Sequence, residues 1–174
     1  MAEDLLIRPA RPADAPDIWR FVRLLAEYEH LAHQMTATQD DLAAALFGAA
    51  PKVFADIAEV DGRSAGFSLW FYDFSSFAGR GGIYVEDLFV LPQARGRGAG
   101  RALLARLARR CLDEGLARLD WAVLDWNAPA IDVYRRIGAE ARDDWRLRRL
   151  SGQALQDLAE QDRSPQDGAK PGRA

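Results

Sequence analysis

Cysteine, histidine and long apolar runs are scarce in this chain of 174 residues. Cys111 is the one cysteine, so no intrachain disulfide can form, and its place among helically spaced leucines predicts a buried apolar side chain and not a nucleophile. His30 and His33 stand without a cysteine or a carboxylate array nearby, so we predict no metal site. No apolar stretch is long enough to cross a bilayer, and no basic-then-apolar leader opens the chain, which predicts a cytoplasmic protein.

An excess of positive charge is also missing, because the formal net charge is −3 and the pI is near 5.4. Nucleic acid and anionic membranes attract clustered lysine and arginine, so neither is expected as a partner. Hydrophobic residues make up 49% of the chain, and its length suits one domain with a sizeable core. We assign that domain to residues 1–160 and predict that the polar, Pro- and Gly-rich residues 161–174 form a disordered tail.

Residues 93–100, with the sequence QARGRGAG, form the most informative stretch. Apolar residues 83–91 before it predict a buried strand, and leucines at helical spacing after it predict an amphipathic helix. Glycines at a helix N-terminus let backbone N–H groups come close to an anion, and the positive end of the helix dipole favours a phosphate there. Arg95, Arg97 and Arg101 add cationic side chains around the same point. The stretch therefore predicts a phosphate-binding loop, with a turn that merely ends the strand as the alternative.

Two other glycine-loop chemistries do not fit this stretch. A P-loop requires lysine and then serine or threonine after its last glycine, whereas Arg101 and Ala102 follow Gly100. A dinucleotide fingerprint requires the spacing G-x-G-x-x-G, whose third glycine would fall on Arg101 or Leu103. Both interpretations are therefore excluded by the spacing.

Turn and cap signals outline the remaining elements. Asp14 can cap a helix that has Pro16 in its first turn and runs to Tyr28, and Asp61 with Gly62 is a strong hairpin signal. Strands are predicted at residues 5–8, 53–60, 64–72, 117–124 and 145–150, and further helices at residues 38–46 and 127–138. This order predicts an α+β fold whose strands gather around one central element.

The loop also satisfies the pattern Q/R-x-x-G-x-G/A, and the chain resembles the GNAT acetyltransferases, in particular their diamine acetyltransferase branch. The matching blocks, in family order, are residues 7–10 (IRPA), 25–29 (LAEYE), 86–90 (EDLFV), 126–134 (WNAPAIDVY), 138–139 (GA) and 144–147 (DWRL). The resemblance implies a single α+β domain with a central mixed, mostly antiparallel twisted sheet, flanked by helices, with a V-shaped strand opening for the cofactor. It also implies direct transfer of an acetyl group from acetyl-CoA to the primary amine of a small cationic acceptor in a ternary complex.

An amine near pKa 10 must lose a proton before it can attack a thioester, so the site needs a base. Glu86 is our candidate, because it is a carboxylate inside an otherwise apolar strand. Asp87 is its neighbour, so we expect the two side chains to point to opposite faces, and either of them could simply face solvent. The resemblance makes Tyr134 the general acid, although an aromatic between Val133 and Ile137 is also typical of a core.

Cofactor and acceptor residues are implied by the resemblance. The cofactor-binding set is Leu88, Phe89, Val90, Arg95, Gly96, Arg97, Gly98, Ala99, Gly100, Arg101, Asn127, Ala130 and Tyr134. The acceptor-binding set is Tyr28, Glu29, Glu86, Asp87 and Trp145, in which carboxylates would bind ammonium groups and aromatics would pack a methylene chain. A homodimer, in which one copy could complete the acceptor site of the other, is also implied.

The identity of the acceptor stays open between a diamine, a polyamine and a thialysine-like amino acid. Two other functions also stay open: acetylation of a protein or peptide, and a catalytically silent module that binds acyl-CoA. Retention of Tyr134 argues against the silent module.

Overall fold

The computed structural model describes residues 4–162. The chain divides into two compact units, the first ending at Arg136 and the second beginning at Ile137. The first unit contains the whole sheet, so it determines the position of the candidate site. The domain limits 1–160 stay a prediction, and from residue 163 onward the predicted tail lies outside the described residues.

The sheet has five strands, which lie in the order β1-β2-β3-β4-β5. They are β1 (Leu5–Pro9), β2 (Phe54–Val60), β3 (Arg63–Ser75), β4 (Arg80–Val90) and β5 (Leu119–Trp121). Neighbours from β1 to β4 are antiparallel, whereas β5 is parallel to β4 and pairs only with its residues 83–85. Beyond residue 85, no strand of the described residues pairs with β4 on its β5 side. This mixed sheet with its V-shaped opening confirms the predicted fold class.

Helices of the first unit cover both faces of the sheet. They are α1 (Ala15–Tyr28), α2 (Gln39–Phe47), α3 (Ala99–Asp113) and α4 (Ala128–Arg136). The second unit contains the helix α5 (Gly152–Ala159). Ile18 and Phe21 of α1 pack with Phe89 of β4 in one core cluster. Leu104 of α3 packs with Val85 of β4 in another cluster. We call these two sides of the sheet the α1 face and the α3 face.

A buried carboxylate holds α3 against the sheet. Asp56 of β2 is 1% exposed, and it accepts hydrogen bonds from Trp70 Nε1 at 3.0 Å and from Arg106 Nε at 2.6 Å. The pair with Arg106 compensates the negative charge of a side chain that would otherwise be costly to bury. The orientation of α3, and with it the position of the loop before its first turn, is thereby fixed relative to β2 and β3.

The hairpin between β2 and β3 forms where it was predicted. Asp61 and Gly62 have φ values of 51° and 72°, both in the left-handed region that a tight hairpin turn of this type requires. The loop helix and the short helix after Asn127 also form close to their predicted positions.

Asp14 lies at the N-cap position of α1, as predicted, but the expectation that its side chain caps the helix is wrong. Its carboxylate makes no cap bond to α1 and instead accepts hydrogen bonds from the Arg8 guanidinium at 2.7 and 2.8 Å and from the Arg11 backbone N–H at 2.7 Å. The Arg8 hydrogen bond is the largest influence that lowers the pKa of Asp14. The charged pair offers stronger hydrogen bonds than a helix N–H does, so it takes the carboxylate.

Two strand predictions were also wrong in part. The strand predicted at residues 117–124 is limited to Leu119–Trp121, because only these residues lie beside β4. The strand predicted at residues 145–150 does not form, and α5 follows instead. Trp145 is 69% and Leu147 is 79% exposed, so these residues lack the half-buried, paired setting that favours a strand.

Candidate active site

A β-bulge interrupts β4 at Glu86. In the β3–β4 ladder Leu69 pairs with Asp87 and Trp70 pairs with Val85, so Glu86 has no residue opposite it. A bulge of this kind inserts one residue, bends the strand and re-aims the side chains around it. Because it follows directly after the last β4 residue that pairs with β5, the bulge lies at the apex of the V-shaped opening.

The bulge changes which face each β4 side chain occupies. Val85 packs in the cluster on the α3 face, and so does Leu88, three positions later. In a regular strand, residues on the same face are separated by an even number of positions. Glu86 and Asp87 therefore both lie on the α1 face, and the prediction that they point to opposite faces is wrong.

Three carboxylates of the α1 face carry negative charge into this region. Asp87 is half-buried, and burial raises its pKa to about 7, with the charges of Glu86 and Glu29 acting in the same direction. Glu29, which directly follows α1, has its pKa raised by burial, whereas Glu86 is exposed. None of the three forms a hydrogen bond or an ion pair with another described residue. Such a group suits a cationic ligand, since its charge is not neutralised by the protein.

Tyr134 of α4 lies where the two faces meet. Its ring packs with the cluster on the α3 face, and the ring centroid lies 5.0 Å from that of Trp121. Burial raises the pKa of Tyr134, and Glu29 and Tyr28 raise it further. A phenol with a raised pKa stays protonated at neutral pH, so this group can donate a proton.

Tyr28, at the end of α1, contacts residues on both sides of the opening. Its hydroxyl donates to Asn127 Oδ1 at 3.1 Å, and its ring centroid lies 5.6 Å from that of Trp126. The Arg95 guanidinium lies 5.0 Å from the centroid of the Tyr28 ring, in the position of a cation–π contact. The predicted acceptor residue Tyr28 is therefore in contact with the predicted cofactor residues Asn127 and Arg95.

The loop before α3 has the geometry of an anion site. Gly96 and Gly98 have φ values of 77° and 84°, which an L-residue rarely adopts, and a Cβ at either position would meet nothing within 4 Å. The first intrahelical bond runs from the Ala102 N–H to the Gly98 carbonyl at 2.9 Å. The N–H groups of Ala99, Gly100 and Arg101 precede it and are the donors that a helix start leaves for other partners. The loop is exposed, it has open space beside its two left-handed glycines, and it leads to the N–H groups that the helix start leaves for other partners. This arrangement fits a diphosphate.

Three predicted cofactor-binding residues, Leu88, Phe89 and Val90, lie in β4, and their backbone groups point to different edges of the strand. The Leu91 N–H donates to Ala65 O of β3 at 2.8 Å, and Phe89 is in register with Phe67 of β3. Because backbone groups alternate between the two edges of a strand, those of Phe89 point to β3 and those of Leu88 and Val90 point to the opening. Leu88 and Val90 are therefore the two that can pair with an added extended ligand.

Ala130 and Trp145 are two further residues predicted to bind ligands. The Ala130 N–H donates to Asn127 O at 3.1 Å and to Asn127 Oδ1 at 3.4 Å, inside the first turn of α4. Trp145 belongs to the second unit, so its contact with the acceptor stays a prediction.

Sequence reasoning missed the bulge, because residues 88–91 are all apolar and show no alternation that could mark an inserted residue. The ring of Trp126 beside Tyr28 was also missed, because nothing in the local pattern relates two residues that far apart.

Residues 4–162 contain neither a cluster of metal-ligating side chains nor a membrane-spanning helix. This part of the chain has no group of three or more His, Cys, Asp or Glu side chains that could hold a metal ion. In the same residues, every helix is too short or too polar to span a bilayer.

Comparison with known proteins gives consistent matches. Residues 17–139 match the Acetyltransferase (GNAT) family. The chain is 36% identical over 164 residues to the thialysine N-epsilon-acetyltransferase of Mus musculus, covering 88% of this chain and 96% of that one. It is 31% identical to the L-ornithine N5-acetyltransferase of Arabidopsis thaliana, covering 86% of both chains. Among solved structures, an integron cassette protein from the mobile metagenome of V. cholerae has a TM-score of 0.74 at 28% identity, covering 92% of this chain and 99% of that one.

Proposed function

Since the chain belongs to the GNAT family of acetyltransferases, which use acetyl-CoA, we propose that it acetylates the primary amine of a small cationic acceptor. The observation that carries this proposal is the group formed by Glu29, Glu86 and Asp87, whose negative charge no described residue neutralises. A group of this kind at the apex of the opening attracts ammonium groups. Similarity to acetyltransferases named for thialysine and for L-ornithine, both amines, supports the same class of acceptor.

The cofactor would be held along the opening. The N–H groups of Ala99, Gly100 and Arg101 and the left-handed backbone at Gly96 and Gly98 would bind its diphosphate. Arg95 and Arg97 add positive charge in the same loop. Leu88 offers its edge N–H and C=O groups, and Val90 its N–H, to the amides of the cofactor's arm, while the Val90 carbonyl accepts from Arg95 Nε. When bound, acetyl-CoA supplies an activated thioester to the site.

The residues of the opening then move two protons. A carboxylate of the Glu86–Asp87 pair takes a proton from the acceptor ammonium, so that the amine nitrogen has a free electron pair. Glu86 was predicted for this role, and we extend the proposal to Asp87 because it is the more buried of the two and its pKa of about 7 is matched to neutral pH. Tyr134 would donate its hydroxyl proton to the sulfur as the C–S bond breaks, and its phenolate would then take the second proton, which the nitrogen loses as the amide forms. The carboxylate holds the first proton until it is released to solvent, so both groups return to their starting state.

A screen of acetyl transfer over matched acceptors tests the proposal. Diamines, polyamines, ornithine, lysine, thialysine and short peptides with a free amine would be compared at saturating acetyl-CoA, with kcat/KM measured for each. We expect the small acceptors that carry two positive charges to give the highest values, because they place charge against the Glu29–Glu86–Asp87 group. Transfer only to peptides would favour a protein acetyltransferase, and tight binding without transfer to any amine would favour a silent acyl-CoA-binding module.

We also propose that the active species is a homodimer. Support comes from the second unit, in which Trp145, Leu147, Leu150, Leu155 and Leu158 are all between 46% and 79% exposed. So many exposed apolar side chains in one short segment are typical of an interface, and two-fold pairing would cover them in both copies. Sedimentation velocity at the enzyme concentration of the assay tests this, and a fully active monomer would contradict it. The cytoplasmic location stays a prediction.

A further inference from the structure

Tyr28 is connected to the cofactor side of the opening by two separate contacts. Its hydroxyl donates to Asn127 Oδ1 at 3.1 Å, and its ring carries the Arg95 guanidinium at 5.0 Å from the ring centroid. Asn127 precedes α4, and Arg95 belongs to the loop before α3, so the ring of Tyr28 lies between two elements that the sequence does not bring together. Neither contact is needed for binding an amine.

The side-chain oxygen of Asn127 that Tyr28 contacts also accepts a hydrogen bond from the first turn of α4. Asn127 Oδ1 accepts from the Ala130 N–H at 3.4 Å, and the Asn127 carbonyl accepts from the Ile131 N–H at 3.0 Å. A side-chain oxygen that satisfies an early N–H group stabilises the start of a helix. The Tyr28 hydroxyl holds that oxygen in place, so it also fixes the start of the helix that carries Tyr134.

Arg95 connects the other end of the arrangement to the edge of β4. Arg95 Nε donates to the Val90 carbonyl at 3.0 Å, and the same side chain lies 5.8 Å from the centroid of the Phe89 ring. Val90 is one of the two residues whose backbone groups point to the opening. The ring of Tyr28 therefore packs against Arg95, which is hydrogen-bonded to the edge of β4, while its hydroxyl contacts Asn127 at the start of α4.

We propose that Tyr28 is a positioning residue of the cofactor site. Its hydroxyl fixes Asn127 and the start of α4, so that α4 and the edge of β4 stand at the separation that acetyl-CoA requires. The proposal rests on the proposed function, because it assumes that acetyl-CoA binds in the opening. It assigns to Tyr28 a role that acceptor binding alone would not need.

Tyr28→Phe is the test variant, because it removes the hydroxyl and keeps the ring that contacts Arg95 and Trp126. The Kd of acetyl-CoA, measured by isothermal titration without any amine present, should rise roughly 3- to 10-fold, the size expected for one neutral hydrogen bond. Amide hydrogen exchange in the cofactor-free protein should become faster at Ala130 and Ile131. The KM of the amine at saturating acetyl-CoA should change less than the Kd of the cofactor does.

Tyr72→Phe is the matched control. The Tyr72 hydroxyl donates to Glu114 Oε2 at 2.7 Å, just past the C-terminal end of α3 and away from the phosphate loop. Its loss should leave both the cofactor Kd and the exchange at Ala130 unchanged. A second comparison uses Asn127→Ala, and the double variant with Tyr28→Phe should bind acetyl-CoA no more weakly than Asn127→Ala alone, because both changes remove the same bond.

Three results would overturn the proposal while the proposed function stands. These are an unchanged cofactor Kd in Tyr28→Phe, an equal rise in Tyr72→Phe, and additive losses in the double variant. Failure of the wild-type chain to bind acetyl-CoA would instead refute the proposed function, and the role of Tyr28 with it. The exchange at Ala130 separates these cases, since it reports the contact between Tyr28 and Asn127 without any cofactor.

Discussion

Comparing Gly98→Val with Gly115→Val separates two effects of such a substitution: the cost of a strained backbone and the loss of an anion site. Gly98 lies directly before α3 with a φ of 84°, and Gly115 lies just after the same helix with a φ of 67°. At both positions a Cβ would meet nothing within 4 Å, so neither substitution is opposed by crowding. A left-handed conformation costs an L-residue roughly 1–2 kcal/mol, and a β-branched side chain somewhat more. Gly98→Val and Gly115→Val should therefore lower the free energy of unfolding by similar amounts, at least about 1 kcal/mol each.

Only Gly98→Val should weaken the binding of acetyl-CoA. A hydrogen bond from a backbone N–H to a charged phosphate contributes roughly 1.5–3 kcal/mol, which corresponds to a rise in Kd of about 10- to 150-fold. Urea denaturation would give the two stabilities, and isothermal titration of the folded variants would give the two dissociation constants. An unchanged Kd for Gly98→Val would refute the assignment of the loop as the anion site. An equal loss of affinity in Gly115→Val would show that binding follows stability and not the loop.

Two further substitutions address the proton transfers. Tyr134→Phe should lower kcat by roughly 10²–10⁴-fold with little change in the acetyl-CoA Kd, and nearly intact activity would show that Tyr134 only packs the core. In the wild type, kcat/KM should rise with pH through about 7 as Asp87 deprotonates, and Asp87→Asn should lose this limb while Glu86→Gln keeps it. The pKa of Asp87 is raised from its ordinary 3.8, so the native state binds the extra proton and loses stability as pH rises from about 4 to 7. Asp87→Asn should therefore be more stable than the wild type at pH 8 in thermal unfolding, and a less stable variant would contradict the direction of that shift.

Local sequence patterns were enough to predict the turn between β4 and α3 and the hairpin between β2 and β3. Gly96 and Gly98 take up the left-handed backbone that their spacing indicates, and Asp61 with Gly62 does the same between β2 and β3. These features depend on the conformational preferences of a few adjacent residues, so a sequence contains nearly all the information that they need. The pairing of β2 with β3 and of β3 with β4 is of the same kind, because these antiparallel neighbours are joined directly, whereas α1 and α2 lie between β1 and β2.

Features that depend on distant partners were not predictable in the same way. The bond between Tyr28 and Asn127 joins residues 99 positions apart, so no local pattern could indicate it. The strand expected at residues 145–150 needed a neighbouring strand to satisfy its backbone, and the residues of this segment are exposed. Asp14 fitted the pattern of a helix cap, but Arg8 competed for its carboxylate with a stronger charged interaction.

The face assignment of Glu86 and Asp87 failed for a more instructive reason. Strand alternation is a sound rule for a continuous ladder, and it was applied across a point where the ladder is interrupted. Residues 88–91 are all apolar, so the sequence after the pair shows no alternation from which the insertion could be inferred. A carboxylate pair in an otherwise apolar strand is therefore a reason to test the strand for an insertion.

The inserted residue of β4 also separates what the fold requires from what the site requires. The β3–β4 ladder resumes on both sides of Glu86 with its apolar side chains on consistent faces. A chain shortened by that one residue could form every other pair of the ladder and bury the same core. It would lose the bend that turns β4 away from β5, and with it the space between the two strands. The core alone therefore does not require this residue, whereas the proposed site depends on it, because the inserted residue sets where β4 and β5 separate.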